Sequence, residues 1–192
     1  MEQDIRQVLL ESAELKRRMA DELVDDIRAA GEMLTRAMLA GGTVALCGNG
    51  GSAADAQHLS GELVGRFLLE RPGYAAIALT TDTSILTAIG NDYSFEDIYA
   101  RQVEALLRPG DVLVAFSTSG NACNCVRAVE KAAEKSVLTL ALTGAGGGRL
   151  GELCDLTIRV PHQTTARVQE AHITIGHILC GLVERALVEA GR

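Results

Sequence analysis

Residues 48–62 read GNGGSAADAQHLSGE, and this stretch decides how the rest of the chain is organised. The apolar run 43–47 before it predicts a buried strand, and the glycines with Asn49 predict a tight turn. Ser52 stands where a helix N-cap is expected, and alanines follow it. A strand, a glycine-rich turn and a helix in this order direct backbone N–H groups and a helix dipole at one point. Such a junction favours a phosphate or a sugar hydroxyl.

His58 and Glu62 follow on the predicted helix. Their i,i+4 spacing places an imidazole and a carboxylate on one face. Alone, the pair is explained as a hydrogen-bonded surface pair, but Gln169 and His177 lie on the predicted last helix and add a second polar group. Two interpretations stay open. Glu62 and His177 can act as general base and acid, or all four residues can hold a zinc-like ion.

The spacing of Gln169 and His177 poses a geometric problem. Eight residues correspond to about 12 Å along a helix, so one ion reaches both only if the side chains extend toward each other. The alternative is that one of them comes from a second copy of the chain. We therefore expect a site at or near a subunit interface.

Length and composition limit the protein class. The chain has 192 residues, enough for one domain with its own core, which we divide into a helical arm (1–40) and an α/β core (41–192). A net charge of −7 argues against nucleic acid as a partner. No apolar run approaches the roughly 20 residues needed to cross a membrane, and the charged N-terminus does not resemble a signal peptide. Five cysteines without framework spacing predict reduced thiols in a cytoplasmic protein.

Short apolar runs alternate with helical patterns after residue 40. The runs are 44–47, 75–79, 112–116, 137–142 and 156–160, and the helical patterns are 52–69, 83–90, 95–107, 121–135, 147–153 and 166–190. This alternation predicts a five-stranded parallel sheet with helices on both faces and a ligand beyond the strand ends. Two amphipathic helices, 3–19 and 21–39, precede it. They either pack on another subunit or cover their own sheet.

A second anion site is predicted after the third strand. Ser117, Thr118 and Ser119 precede a glycine and a predicted helix, and three hydroxyls exceed what one helix cap needs. We interpret this segment as a phosphate site. Asn91 and Asp92 supply polar groups further along the chain from the second strand.

Six segments together resemble the sugar isomerase (SIS) domain family: CGNGGSAADAQHLSGELVGRF, RPGYAAIAL, GNDYSFEDIYARQV, GDVLVAFSTSGN, TLALTG and ARVQEAHITIGHI. The similarity runs from the helical arm to the last helix. It implies a flavodoxin-like three-layer α/β/α fold with a five-stranded parallel sheet, a homotetramer with active sites near subunit interfaces, and one zinc ion per subunit.

The resemblance also implies roles for individual residues. Glu62 and His177 would be catalytic. The metal ligands would be His58, Glu62, Gln169 and His177. The substrate would be bound by Asn49, Gly50, Gly51, Ser52, Glu62, Asn91, Asp92, Ser117, Thr118, Ser119 and Gln169. Zinc binding makes a carboxylate a poorer base, so the two roles of Glu62 are in tension.

The activity implied is aldose–ketose isomerisation of a small sugar phosphate. Sedoheptulose 7-phosphate would become D-glycero-D-manno-heptose 7-phosphate through an enediolate, the first step of bacterial ADP/GDP-heptose synthesis for lipopolysaccharide or surface glycans. Two alternatives stay open: a non-catalytic SIS adaptor that binds another protein, and an isomerase of another sugar phosphate. One departure concerns the phosphate site, because Ala122 stands where the family usually has a further serine.

Overall fold

The computed structural model describes residues 1–192. Its helices are α1 (Glu2–Glu22), α2 (Val24–Leu39), α3 (Gly51–Val64), α4 (Thr83–Asp92), α5 (Ala100–Leu106), α6 (Cys123–Glu134), α7 (Leu150–Leu153) and α8 (Thr165–Glu189), with a 3-10 turn at Phe95–Asp97. Its strands are β1 (Val44–Gly48), β2 (Ala76–Ala78), β3 (Val112–Ser117), β4 (Leu138–Gly144) and β5 (Leu156–Val160).

The five strands form one parallel sheet in the order β2-β1-β3-β4-β5. Every residue of β1 and β3 is buried, as expected when helices cover both faces of a parallel sheet. The strand order reverses between β1 and β3, where Gly48 pairs with Phe116 at the carboxyl edge. The predicted fold class is confirmed, and the glycine-rich turn and the serine loop both leave the sheet at this reversal point.

Two apolar layers fill the space above and below the sheet. Val44 and Leu46 of β1 pack with α1, α2, α3 and α8, whereas Ala45 and Cys47 point to the opposite face and pack with α5, α6 and α7. This alternation follows from the two-residue side-chain period of a strand. The result is a three-layer α/β/α sandwich.

The helical arm covers its own subunit over most of its length. α2 packs along α8, and Leu15 and Met19 in the second half of α1 are buried in the same layer. The first half of α1 instead exposes large apolar side chains, namely Ile5, Val8, Leu9 and Leu10. The interpretation that the arm covers its own sheet therefore describes α2 and the end of α1. Packing of the start of α1 on another subunit stays a prediction.

Three local predictions are wrong. The helix predicted over 52–69 ends at Val64, and the one predicted over 95–107 is interrupted between the 3-10 turn and α5. Ser52 is not the N-cap of α3, because that position is Gly50, whose φ of +57° suits glycine. Ser52 lies buried inside the helix.

The loop after α3 is held by a buried ion pair. Glu184 of α8 is 1% exposed and accepts the backbone N–H groups of Phe67, Leu68 and Leu69, at 2.8–2.9 Å, and the Arg71 Nε–H. Burial alone would raise the pKa of Glu184, but these hydrogen bonds outweigh it and lower the pKa. Arg71 in turn donates to the carbonyl oxygens of Glu62, Leu63 and Gly65. These contacts end α3 and order the loop behind it.

α8 is long and apolar enough to cross a membrane by length and composition. Half of its most apolar window is buried inside the protein, and it packs on α2 and α3. Core helices of this kind pass the same test, so the composition of α8 is explained by its place in the core.

α3 and α8 approach each other closely at Gly176. A Cβ placed on Gly176 would lie 2.4 Å from Leu59 Cδ1 and 3.1 Å from Leu59 Cγ. Leu59 is itself buried, so it has little room to move. Gly61, also on α3, has open space around its missing side chain.

We expect Gly176→Ala to destabilise the protein by about 1–3 kcal/mol, since the new methyl group overpacks the helix contact. The matched control is Gly61→Ala, which gains up to about 1 kcal/mol from helix propensity without a clash. Urea unfolding of both variants measures the difference. Equal stabilisation by the two substitutions would contradict a close contact at Gly176.

His172 of α8 generates a second prediction. The ring is fully buried near Phe116, and burial lowers its pKa to about 4, outweighing the backbone of Thr143, which raises it. The unfolded chain takes up this proton near pH 6.5 and the folded chain only near pH 4, so acid favours unfolding. Between pH 7 and pH 5 we expect His172 to lower the free energy of unfolding by about 2 kcal/mol.

The measurement is urea unfolding at both pH values for the wild type and for His172→Leu. The variant lacks the titrating group, so its stability should fall less between pH 7 and pH 5. Parallel losses in the two proteins would show that the ring is not held neutral by burial.

Candidate active site

The glycine-rich turn after β1 is fixed from two directions. The Tyr99 hydroxyl donates to the Gly48 carbonyl oxygen, and burial raises the pKa of Tyr99. The Asn49 side chain forms a reciprocal amide pair with Asn124 of α6, with two N–H···O bonds of 2.8 Å. The turn therefore enters α3 in a defined position relative to the first turn of α6.

The serine loop after β3 lies beside this turn. The Ser117 hydroxyl accepts the Ala122 N–H at 3.4 Å, and the Ser119 hydroxyl accepts the Asn121 N–H at 3.1 Å. The N-cap of α6 is Ala122, which makes no side-chain cap bond. In the competing interpretation of this segment, one of these hydroxyls caps the helix. The structure therefore does not show that cap.

Three of the four predicted metal ligands converge within one chain. His58 Nε2 lies 2.8 Å from His177 Nε2 and 3.3 Å from Glu62 Oε1, and the ligand atoms of all three residues lie within 4.8 Å of one another. The ring of Phe67 stacks on His177 with 5.7 Å between centroids and 11° between planes. The close contact of α3 and α8 brings these side chains together, so no second copy of the chain is needed for them to meet.

Gln169 takes a different position from His177. Its Nε2 donates to both carboxylate oxygens of Asp55, at 2.7 and 2.8 Å. Its Cγ would lie 3.4 Å from a Cβ on Gly51, so its stem passes close to the glycine-rich turn. Burial raises the pKa of Asp55, against the Gln169 hydrogen bond and the imidazoles of His58 and His177, which lower it.

Asn91 and Asp92 are not joined to this group by any hydrogen bond. They lie at the exposed end of α4, which has no buried residue, and their side chains bond each other at 2.8 Å. Their predicted contact with the sugar stays a prediction.

The donor set suits a small cation. Two imidazoles and a carboxylate converge, which are nitrogen and oxygen ligands in the number that the protein supplies at catalytic zinc sites. The same groups can also exchange protons with a substrate, because imidazole and carboxylate atoms lie within 4.8 Å of one another on side chains that are not fully buried. The residues therefore fit either of the two interpretations drawn from the sequence.

Sequence reasoning missed three residues of this site: Asp55, Phe67 and Asn124. Asp55 had a usable signal, since Asp55, His58 and Glu62 follow the i, i+3, i+7 pattern of one helix face. Phe67 lies in a segment predicted to be helical, which hid its contact with His177. Asn124 pairs with a residue 75 positions away, and nothing local indicates the pairing.

Comparison with known proteins identifies the family of the chain. The SIS domain family model matches residues 9–144. A phosphoheptose isomerase from Rhodospirillum rubrum is 55% identical over 97% of this chain and 99% of its own length, and one from Aquifex aeolicus is 49% identical over 98% and 99%.

The structure of a phosphoheptose isomerase from Neisseria gonorrhoeae superimposes with a TM-score of 0.91 at 42% identity, covering 96% of this chain and 98% of that one. Similarity over the whole length, at this identity, extends to α8, which carries Gln169 and His177 beyond the family-model match. The chain therefore belongs to the SIS domain family and, within it, to the phosphoheptose isomerases.

Proposed function

We propose that the enzyme interconverts sedoheptulose 7-phosphate and D-glycero-D-manno-heptose 7-phosphate. The observation that carries the proposal is the cluster of His58, Glu62 and His177 on α3 and α8, where α3 begins at the glycine-rich turn and that turn leaves the sheet where the strand order reverses. Relatives of about half identity over the whole chain are phosphoheptose isomerases, which supports a seven-carbon sugar phosphate as the substrate.

The proposed reaction moves one proton between neighbouring carbons and one between their oxygens. The Glu62 carboxylate removes the proton next to the carbonyl carbon, and an enediolate forms. The His177 imidazole supplies a proton to the former carbonyl carbon, the proton of the neighbouring hydroxyl passes to the former carbonyl oxygen, and the carbonyl group thereby changes place. Phe67 against one face of the imidazole and His58 at its Nε2 limit the orientations that His177 can take.

The proposed cofactor is one zinc ion per subunit, held by His58, Glu62, Gln169 and His177. When bound, such an ion polarises the carbonyl oxygen and stabilises negative charge on it. A carboxylate has two oxygens, and only Glu62 Oε1 is engaged with His58, so the other can serve as base.

The phosphate is proposed to lie between the two loops at the strand ends. Ser117, Thr118 and Ser119 offer hydroxyl groups, and the α6 dipole favours negative charge at this point. Asn49, Gly50, Gly51 and Ser52 would contact the sugar from the opposite loop, with Asn91, Asp92, Glu62 and Gln169 as further substrate contacts. Ala122 removes one hydroxyl donor, worth roughly 0.5–1.5 kcal/mol, and we expect weaker phosphate binding without loss of turnover.

The proposed assembly is a cytoplasmic homotetramer with active sites near subunit interfaces, in a pathway of bacterial heptose synthesis. The exposed apolar side chains at the start of α1 support burial against another subunit. Two exposed rings after α4, Tyr93 and Phe95, are a further surface of this kind, next to the proposed sugar contacts Asn91 and Asp92.

Removal of the metal tests the cofactor. We expect turnover of sedoheptulose 7-phosphate to fall by more than about tenfold after chelation and to return when zinc is restored. The control is the same treatment with a chelator already saturated with zinc. Turnover that is indifferent to chelation would leave Glu62 and His177 as a metal-free acid–base pair.

Substitution of the proposed base tests the chemistry. Glu62→Gln keeps the size of the side chain but cannot accept the proton, so kcat/KM should fall roughly 10²–10⁴-fold. His162→Gln is the control, because His162 pairs with Glu11 outside the cluster. Near-normal turnover by the Glu62 variant would contradict the assignment, and turnover of a different sugar phosphate in a substrate panel would correct the substrate.

A further inference from the structure

Asp55 is the one carboxylate beside the His58 cluster that the proposed reaction does not use. It lies one helical turn before His58 on the same face of α3 and is only 5% exposed. A buried carboxylate needs hydrogen-bond donors, since its desolvation is otherwise costly. Its donor is the side chain of Gln169, which crosses from α8.

In the contact between Asp55 and Gln169, the donor and the acceptor are fixed. Gln169 Nε2 lies 2.7 Å from Asp55 Oδ1 and 2.8 Å from Oδ2, so both oxygens accept from the same NH₂ group. A carboxylate offers acceptors only, and the amide oxygen of Gln169 is therefore repelled from this position. Because the amide is planar, its oxygen is turned away from Asp55.

The stem of Gln169 passes close to Gly51 at the start of α3, because a Cβ placed on the glycine would lie 3.4 and 3.5 Å from Cγ and Cδ of Gln169. With the terminal group held at Asp55, the choice that bears on metal binding is a half-turn of the amide, which exchanges oxygen and nitrogen. Only the oxygen of an amide can bind a cation, so this choice decides whether Gln169 is a ligand at all.

We infer that Asp55 is a positioning residue: it holds the Gln169 amide with its NH₂ group inward and so presents the oxygen to an ion bound by His58, Glu62 and His177. The inference rests on the metal site of the proposed function. Asp55 then acts through Gln169, in the way that outer carboxylates orient metal-binding side chains elsewhere.

Two simpler roles for Asp55 would give different results when the residue is substituted. If Asp55 only joins α3 to α8 by a hydrogen bond, it does not matter which side chain is the donor. A neutral amide at position 55 would then serve equally well. A general electrostatic role, in which a nearby negative charge attracts the cation, would be lost whenever the charge is lost, whatever stands at position 169. The orientation role alone depends on which residue faces Asp55.

A double-mutant cycle separates these roles, with zinc affinity as the readout. Metal-free wild type, Asp55→Asn, Gln169→Glu and the double variant are titrated with zinc against a chromophoric chelator. When Gln169 is retained, Asp55→Asn should weaken zinc binding by about 10–100-fold, because the amide of Gln169 can now turn its nitrogen toward the ion.

When Gln169→Glu is already present, the same substitution at position 55 should not weaken binding. The NH₂ group introduced at position 55 donates to the carboxylate introduced at position 169, whose second oxygen faces the ion. The effect of Asp55→Asn therefore depends on position 169, which is the coupling that the cycle measures. Equal losses in both backgrounds would overturn the orientation role in favour of simple electrostatics, and no loss in either would overturn it in favour of a structural tie.

Asp111→Asn is the matched control. Asp111 is also 5% exposed, and it accepts two backbone N–H groups, from Thr43 at 2.7 Å and Arg108 at 2.8 Å, at the opposite edge of the sheet. We expect this variant to unfold at a lower temperature with unchanged zinc affinity. Should Asp55→Asn fail to fold, the double variant decides alone, and zinc affinity well below that of the wild type would overturn the inference.

The outcomes also distinguish the inference from the proposed function. Failure of the wild type to bind zinc would overturn the metal site and the role of Asp55 together. Tight binding by the wild type with an unchanged Asp55→Asn variant would overturn the role of Asp55 and leave the metal site standing.

Discussion

The close approach of α3 and α8 at Gly176 is the contact on which the site depends. Glycine at this position lets Leu59 lie where a side chain would otherwise stand, so the two helices touch beside His58 and His177. His58 precedes Leu59 on α3, and His177 follows Gly176 on α8. The packing contact and the polar cluster are therefore adjacent on both helices. The apolar contact thus sets the separation at which imidazole and carboxylate meet, and the buried pair of Glu184 and Arg71 holds the following loop with Phe67 against His177.

The remainder of the site comes from the sheet. β1 and β3 are neighbours whose chains leave in opposite directions, which opens a crevice at their carboxyl ends. The reciprocal pair of Asn49 and Asn124 bridges this crevice and ties the glycine-rich turn to the start of α6. The proposed chemistry and the proposed anion binding therefore depend on different elements, namely two packed helices for the first and two strand exits for the second.

The fold was predictable because its signals are local. Strands buried on both faces are continuous apolar runs, and all five runs correspond to strands. The errors occur where a residue distant in sequence determines where a helix ends. Nothing between positions 52 and 69 shows that Glu184 will take the N–H groups of Phe67, Leu68 and Leu69 and so end the helix. Ser52 was a reasonable cap by residue type, but the positive φ of Gly50 starts the helix earlier.

The same difference between local signals and distant contacts explains which parts of the candidate site could be predicted. His58 and Glu62 share a helix face, which spacing alone reveals, and the distance between Gln169 and His177 along α8 is real. The spacing does not show that the side chains of Gln169 and His177 contact different residues. His177 meets His58 and Glu62 directly, whereas the NH₂ group of Gln169 is committed to Asp55. Asp55 holds Gln169 one helical turn before His58 on α3, and the proposed orientation of the amide would turn its oxygen toward an ion held by His58, Glu62 and His177.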